Sequence, residues 1–318
     1  MPNQTHHSNR VAIIGAGFVG ATFGYALVNS GLVPEIVLID ANRSRAEGEA
    51  MDLNHAVPMH HPCQIWAGNY SDCAGADVIV ITAGSAQKPG ETRTDLTQRN
   101  TDIFRQIIPQ IARHNSDGIL LIASNPVDIL TYASIKLSGF SPQQVIGSGT
   151  ILDTARFRYL LSQHFGVDPR SVHGYMIGEH GDSEVPVWSL ANIAGMRLPA
   201  YCSANGLECK EPILAEITRQ TRDAAYEIIQ RKGATYYAIA SGLLRIVETI
   251  LRNQSTVLTV SSLLNDHFGF SDVCLSLPTI IDRGGVERVL RLEYDDKEIE
   301  GLQRSAFILK ELIQMLNL

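Results

Sequence analysis

The stretch Val11–Gly20 (VAIIGAGFVG) constrains this chain more than any other. Val11, Ala12, Ile13 and Ile14 form a short apolar run of the kind that builds a buried strand. Gly15, Gly17 and Gly20 follow at G-x-G-x-x-G spacing and open a helix predicted over Phe18–Ser30, with Gly31 as its C-cap. A second apolar strand, Glu35–Ile39, ends at Asp40, twenty residues beyond the last glycine. Small residues are needed in such a turn because a diphosphate must approach bare N–H groups at a helix N-terminus. A carboxylate at Asp40 accepts hydrogen bonds from an adenosine ribose and repels a 2′-phosphate, which selects NAD over NADP. Strand, turn, helix, strand and acid in this order predict a dinucleotide cradle.

The chain continues in the same manner. Arg43–Asp52 carries helix formers, and Asn100–Arg113 has helical periodicity. Ala76–Thr82 (ADVIVIT), Gly118–Ser124 (GILLIAS) and the shorter Gln144–Gly147 are the continuous apolar runs of parallel strands buried on both faces. Alternation of strand and helix predicts an α/β fold, a doubly wound parallel sheet. From about Gly149 the pattern changes. Helices are predicted at Thr154–Phe165 and Pro212–Arg231, an antiparallel stretch at Ser171–Met176, and meander strands at Val257–Leu264 and Val273–Ile281 with a turn at Gly284–Gly285. Ile299, Leu302, Ala306, Leu309, Ile313 and Leu316 form one stripe of a C-terminal helix. The expected organisation is a cofactor domain over 1–148, with a flexible polar tail at 1–9, and a mixed α+β catalytic domain over 149–318.

The net charge of −7 leaves no electrostatic footprint for nucleic acid or an anionic membrane, so an anionic substrate would need local cations. No apolar run approaches the eighteen or so residues of a membrane span, and the polar Met1–Arg10 segment lacks the apolar core of a secretion signal. The five cysteines are scattered without C-x-x-C spacing. Reduced thiols in a cytoplasmic protein, and no metal site, are expected.

Candidate chemistry sits after the strands. Gly178–Ser183 (GEHGDS) sets His180 in a small-residue loop. Asp153 and Arg156 are at i, i+3 and share a helix face. Either they form a helix salt bridge, or Asp153 orients an imidazole that exchanges a proton with a substrate oxygen. Thr82–Arg93 (TAGSAQKPGETR) lies beyond a parallel strand, where open α/β sheets place ligands; it is either a solvated loop or a lid that brings in Arg93. Asn125, in Ser124-Asn125-Pro126, either bonds the reacting oxygen or makes a turn.

Together GAGFVG with Asp40, AGSAQKPGETR, SNPVD, SGTILDTARFR, GEHGDS and KGATYYAIA resemble the L-lactate dehydrogenases of the lactate/malate dehydrogenase superfamily, from about Arg10 to the C-terminus. The resemblance implies a Rossmann domain, NAD as cofactor, and a homotetramer. It makes His180 the proton donor and acceptor, Asp153 its orienting partner, Arg93 the group that polarises the ketone with help from Asn125, and Arg156 the bidentate clamp on the substrate carboxylate. Thr235 would line the substrate pocket. Cofactor contacts would fall on Gly15, Gly17, Phe18, Val19, Gly20, Asp40, Ala83, Gly84, Asn125 and Ile239.

One lid position separates the substrates. Where related malate dehydrogenases have an arginine for a second carboxylate, this chain has Gln87. A neutral amide leaves that carboxylate unpaired, a discrimination on the order of 10²-fold. Pyruvate and L-lactate are therefore the expected substrates, with malate or bulkier 2-hydroxy acids as alternatives. Arg158 and His173 match positions that bind fructose 1,6-bisphosphate at a subunit interface in bacterial enzymes of this type. Ordinary surface bases are the other reading of that pair.

Overall fold

The computed structural model describes residues 9–85, 90 and 92–316, with Arg93 described by its main chain only. Gln87 and Lys88, like residues 1–8, lie outside the described residues.

Six parallel strands carry the first half: β1 (Arg10–Ile14), β2 (Glu35–Ile39), β3 (Gln64–Ala67), β4 (Val78–Ile81), β5 (Ile119–Ile122) and β6 (Val145–Gly147). Their order across the sheet is β3-β2-β1-β4-β5-β6, the doubly wound Rossmann arrangement. Helices α1 (Phe18–Ser30), α2 (Arg43–Ala56), α3 (Arg93–Ala112) and α4 (Val127–Ser138) connect them. Side chains of β1 divide by parity: Val11 and Ile13 join one buried cluster with Phe23 and Leu27, and Ala12 and Ile14 join another with Phe104 and Ile108. That period of two places an apolar layer on each face.

α3 begins at Arg93, well before the Asn100 expected from periodicity. The reason is a reciprocal cap: the Thr92 hydroxyl accepts from the Asp95 N–H at 3.1 Å, and the Asp95 carboxylate accepts from the Thr92 N–H at 3.2 Å. β4 and β5 are shorter than their apolar runs; at their carboxyl ends residues 82–85 and 123–125 leave the sheet as loops.

The second half opens with α5 (Ile151–Phe165). Short antiparallel pairs follow, made by β7 (Val172–His173), β8 (Met176–Ile177), β9 (Val185–Pro186), β10 (Asn192–Ile193) and β11 (Met196–Arg197). Then come α6 (Leu198–Asn205), α7 (Glu211–Lys232) and α8 (Tyr237–Leu251), the long strands β12 (Thr256–Leu264) and β13 (Val273–Asp282), β14 (Gly285–Val289), and α9 (Asp296–Gln314). The meander is not separate from the first sheet. β12 pairs antiparallel to β6 at Ser261↔Gly147, so β12, β13 and β14 extend the parallel sheet to nine strands. α9 buries Leu302, Ala306 and Leu309 against Leu275 and Leu277 of β13, the stripe its sequence predicts. No helix among the described residues is long and apolar enough to cross a membrane.

α8 was not legible as an element, yet it couples the two halves. Its Ala240, Leu243, Ile246, Val247 and Ile250 enter the same buried cluster as Phe23 and Leu27 of α1, with Val19 and Ile239 packed at the margin. The KGATYY segment is thereby carried to the glycine turn.

Candidate active site

The glycine turn is shaped by three different constraints. Gly15 has φ of 105°, and a Cβ there would stand 2.6 Å from the Ala83 nitrogen, so the ends of β1 and β4 abut. A Cβ on Gly20 would meet the Gly15 carbonyl oxygen at 1.9 Å, so this glycine lets α1 pack against the turn. Gly17 differs: nothing lies within 4 Å of where its Cβ would be. It is the N-cap of α1 and supplies no side-chain cap, so the first N–H groups of the helix face open space, as an incoming diphosphate requires. Asp40 is fixed beside this opening; its Oδ2 accepts from the Ala16 N–H at 2.7 Å and its Oδ1 from the Asn42 N–H at 2.8 Å. These residues fit a dinucleotide. Gly17→Ala is accordingly expected to leave the thermal midpoint within a few degrees and to weaken NADH binding about tenfold or more, roughly 1.4 kcal/mol. A fluorescence titration giving the wild-type Kd would sink this assignment of the cradle.

The acid–base group is built from α5 and the loop after β8. Asp153, near the start of α5, is buried, and its two oxygens serve two partners. Oδ1 accepts from Arg156 Nη1 at 2.8 Å, and Oδ2 contacts His180 Nδ1 at 2.6 Å. Salt bridge and imidazole orientation, the two readings left open by spacing, are both realised by one carboxylate. Burial favours the neutral acid, but His180 and Arg156 together hold Asp153 below its ordinary value. For His180 burial opposes the charged ring, and the Asp153 carboxylate outweighs it, with Asp128 and Glu184 in support, raising the imidazole to about 9. At neutral pH the ring is an imidazolium, 25% exposed and able to donate.

Asn125, Asp153, Arg156 and His180 line one cleft of about 340 Å³ together with Ile129, Glu184 and Arg222, a volume suited to a small ligand. Thr235 does not line it. It lines a neighbouring apolar cavity with Leu152, Tyr236 and Tyr237, and Arg156 is common to both. Phe18 is 64% exposed and stacks on Tyr236 with ring centroids 5.4 Å apart. Ser124, Ala83 and Gly84 gather at the head of β4, where the Ser124 hydroxyl donates to the Ala83 carbonyl at 2.6 Å and Gly84 sits against the Asn100 side chain. Arg93 is placed at the N-terminus of α3 by its main chain. Arg158 donates from Nε to the carbonyl of Gly174, the residue after the exposed His173, at 3.0 Å, with its guanidinium over the Tyr175 ring.

Glu184 was missed. It is 2% exposed, and burial with the nearby Asp153 pushes its carboxyl up to about 8, so it carries a proton at neutral pH. Asp153, His180 and Glu184 each offer a ligand atom within 4.8 Å of the others. Both Asp153 oxygens already have partners, Arg156 on Oδ1 and His180 on Oδ2. No local signal marks Glu184; only the packing around α5 and α7 brings it to the cleft.

An open diphosphate cradle after β1 and a charged imidazole in a cleft sized for a small ligand define a nicotinamide-dependent dehydrogenase of the α/β class. The chain belongs to the lactate/malate dehydrogenase family. The family's NAD binding domain matches residues 9–147 and its alpha/beta C-terminal domain residues 150–317. The chain is 56% identical over 317 residues to an L-lactate dehydrogenase of Acetivibrio thermocellus, covering 99% of this chain and 100% of that one. It is 52% identical to the L-lactate dehydrogenase of Priestia megaterium over 96% of each chain. Among solved structures, the ligand-bound minor L-lactate dehydrogenase of Enterococcus mundtii superposes with a TM-score of 0.95 at 42% identity, over 98% of this chain and 99% of that one. A lactate dehydrogenase from a Medee basin deep-sea metagenome library gives 0.94 at 43% identity, with the same coverage.

Proposed function

We propose that this chain reduces pyruvate to L-lactate with NADH, and catalyses the reverse, with the cofactor half ending at residue 148 and the catalytic half following it. The observation that carries the reading is Asp153, which holds His180 with one oxygen and Arg156 with the other. Proton donor and carboxylate clamp are thereby locked in one geometry. When bound, the nicotinamide supplies or accepts the hydride at the substrate's C2. His180 delivers the proton to the ketone oxygen in reduction and removes it from the hydroxyl in oxidation. Arg156 grips the substrate carboxylate through its guanidinium fork. Arg93 polarises the carbonyl as the 82–93 segment closes, and Asn125 bonds the same oxygen. Phe18, Val19, Ala83, Gly84 and Ile239 are read as walls of the cofactor channel, and Thr235 as the wall of the substrate pocket.

Gln87 carries the choice of pyruvate over a dicarboxylate, because its amide offers no countercharge to a second carboxylate. The decisive experiment compares pyruvate with oxaloacetate at saturating NADH. Pyruvate is expected to be favoured by about 10²-fold or more in kcat/KM, and Gln87→Arg to move the preference toward oxaloacetate. An unchanged preference in that variant would overturn the specificity reading.

Fructose 1,6-bisphosphate activation and a homotetramer belong to the same proposal. Arg158 has no ion pair among the described residues and is docked against the backbone next to His173, which supports an anion site shared across a subunit dyad. If saturating fructose 1,6-bisphosphate changes neither pyruvate saturation nor sedimentation, that part falls. The cysteines are all free thiols, which supports a cytoplasmic setting.

A further inference from the structure

The SNPVD segment contains a second acid that the mechanism above leaves unused. Asp128 stands in the first turn of α4, three residues after Asn125, and is 2% exposed. Its Oδ2 accepts the main-chain N–H of His180 at 2.8 Å. Its Oδ1 accepts the Ser261 hydroxyl of β12 at 2.6 Å, with the Ser276 hydroxyl of β13 at 3.5 Å. A buried carboxylate is tolerated only when such donors answer it. Here they come from three elements at the junction where β12 meets β6. The neighbouring N–H groups of the same loop are held differently: Gly178 donates to the Ser276 carbonyl and Glu179 to the Ser305 hydroxyl, both uncharged acceptors.

We propose that Asp128 is a positioning residue for the reaction: its carboxylate keeps the His180 main chain in register with Asn125 and sets a second negative charge beside the imidazole. The proposal rests on the reading of His180 as proton carrier. Among the described residues, the charged and titratable groups around the ring are Asp153 and Arg156 from α5, Asp128 from α4, Glu184 before β9, Arg222 and Tyr226 from α7, and Glu179 and Asp182 on its own loop. Glu184, raised to about 8 by burial, is mostly protonated at pH 7 and gains its charge along the alkaline limb, where it too favours the imidazolium. Burial raises Asp128 to about 6 against the hydrogen bonds from Ser261 and His180 that favour its charge, so it is ionised through the neutral and alkaline range.

Asp128→Asn keeps an acceptor for the His180 N–H and removes the charge; Asp128→Ala removes both. In Asp128→Asn the alkaline limb of pyruvate reduction is expected to move toward neutral by about one pH unit. Rates should approach wild type below pH 6, where Asp128 itself takes up a proton. Asp128→Ala is expected to lower kcat at every pH, with NADH binding by fluorescence retained. A merely structural role would lower the thermal midpoint of both variants and leave the limb in place, and that result overturns the proposal. His180→Asn is run alongside. If it abolishes turnover while Asp128→Asn leaves the limb unmoved, only the role of Asp128 falls. If His180→Asn keeps turnover, the reading of His180 falls and the role of Asp128 with it.

Discussion

His180→Ala is expected to lower kcat for pyruvate reduction by about 10²–10⁴-fold, with NADH affinity close to wild type. The ring lies in the cleft with Asp153 and Arg156, which the glycine-turn residues do not line, so its removal empties the proton-transfer position without touching the cradle. Stopped-flow turnover and an NADH fluorescence titration separate the two effects. Loss of NADH binding in step with activity would mean that the variant disturbs the fold. The same residue sets the pH response. Its pKa is raised above the ordinary histidine value, to about 9, so the protonated form is the resident one at neutral pH. kcat/KM for pyruvate reduction, which needs the imidazolium, is expected to be level below pH 8 and to fall as pH rises through about 9. Lactate oxidation needs the neutral ring and should rise over the same interval. Opposite limbs in the two directions are the signature of one group acting as acid and base.

Arg156→Lys is expected to lower kcat/KM for pyruvate by about 10²-fold or more, chiefly through KM. Lysine keeps a positive charge near Asp153 but cannot present two parallel N–H groups to a carboxylate. Arg156 is only 13% exposed, so the ion pair proposed for it with substrate would be largely desolvated and its geometry would matter. Steady-state kinetics with varied pyruvate at saturating NADH read the effect directly. A KM within twofold of wild type would remove Arg156 from the substrate site.

Parts of the fold were legible residue by residue. The helix at Phe18–Ser30 and the strand at Glu35–Ile39 have the bounds their sequence predicts, because glycine punctuation and continuous apolar runs are local signals. The start of α3 was misplaced by seven residues, although Thr92 and Asp95 offered a capping signature. α4 is buried along most of its length, so no contrast between faces reveals its period. α8 is strongly amphipathic, but the apolar face it presents belongs to a cluster built by α1 and the first sheet.

By itself the sequence determined the cofactor cradle, the α/β class, the motifs of the family and the candidate acid, base and arginine. Each of these is written in spacings of a few residues, at which a strand, a turn or a helix face forms. Only the tertiary structure decided that Asp153 serves His180 and Arg156 at once, that Asp128 and Glu184 surround the same imidazole, and that the meander prolongs the parallel sheet. Asp153 reaches His180 across 27 positions, Asp128 reaches its main chain across 52, and Ser261 meets Asp128 across 133. Over such separations the hydrophobic burial of whole elements sets which side chains meet, and no local pattern records the outcome.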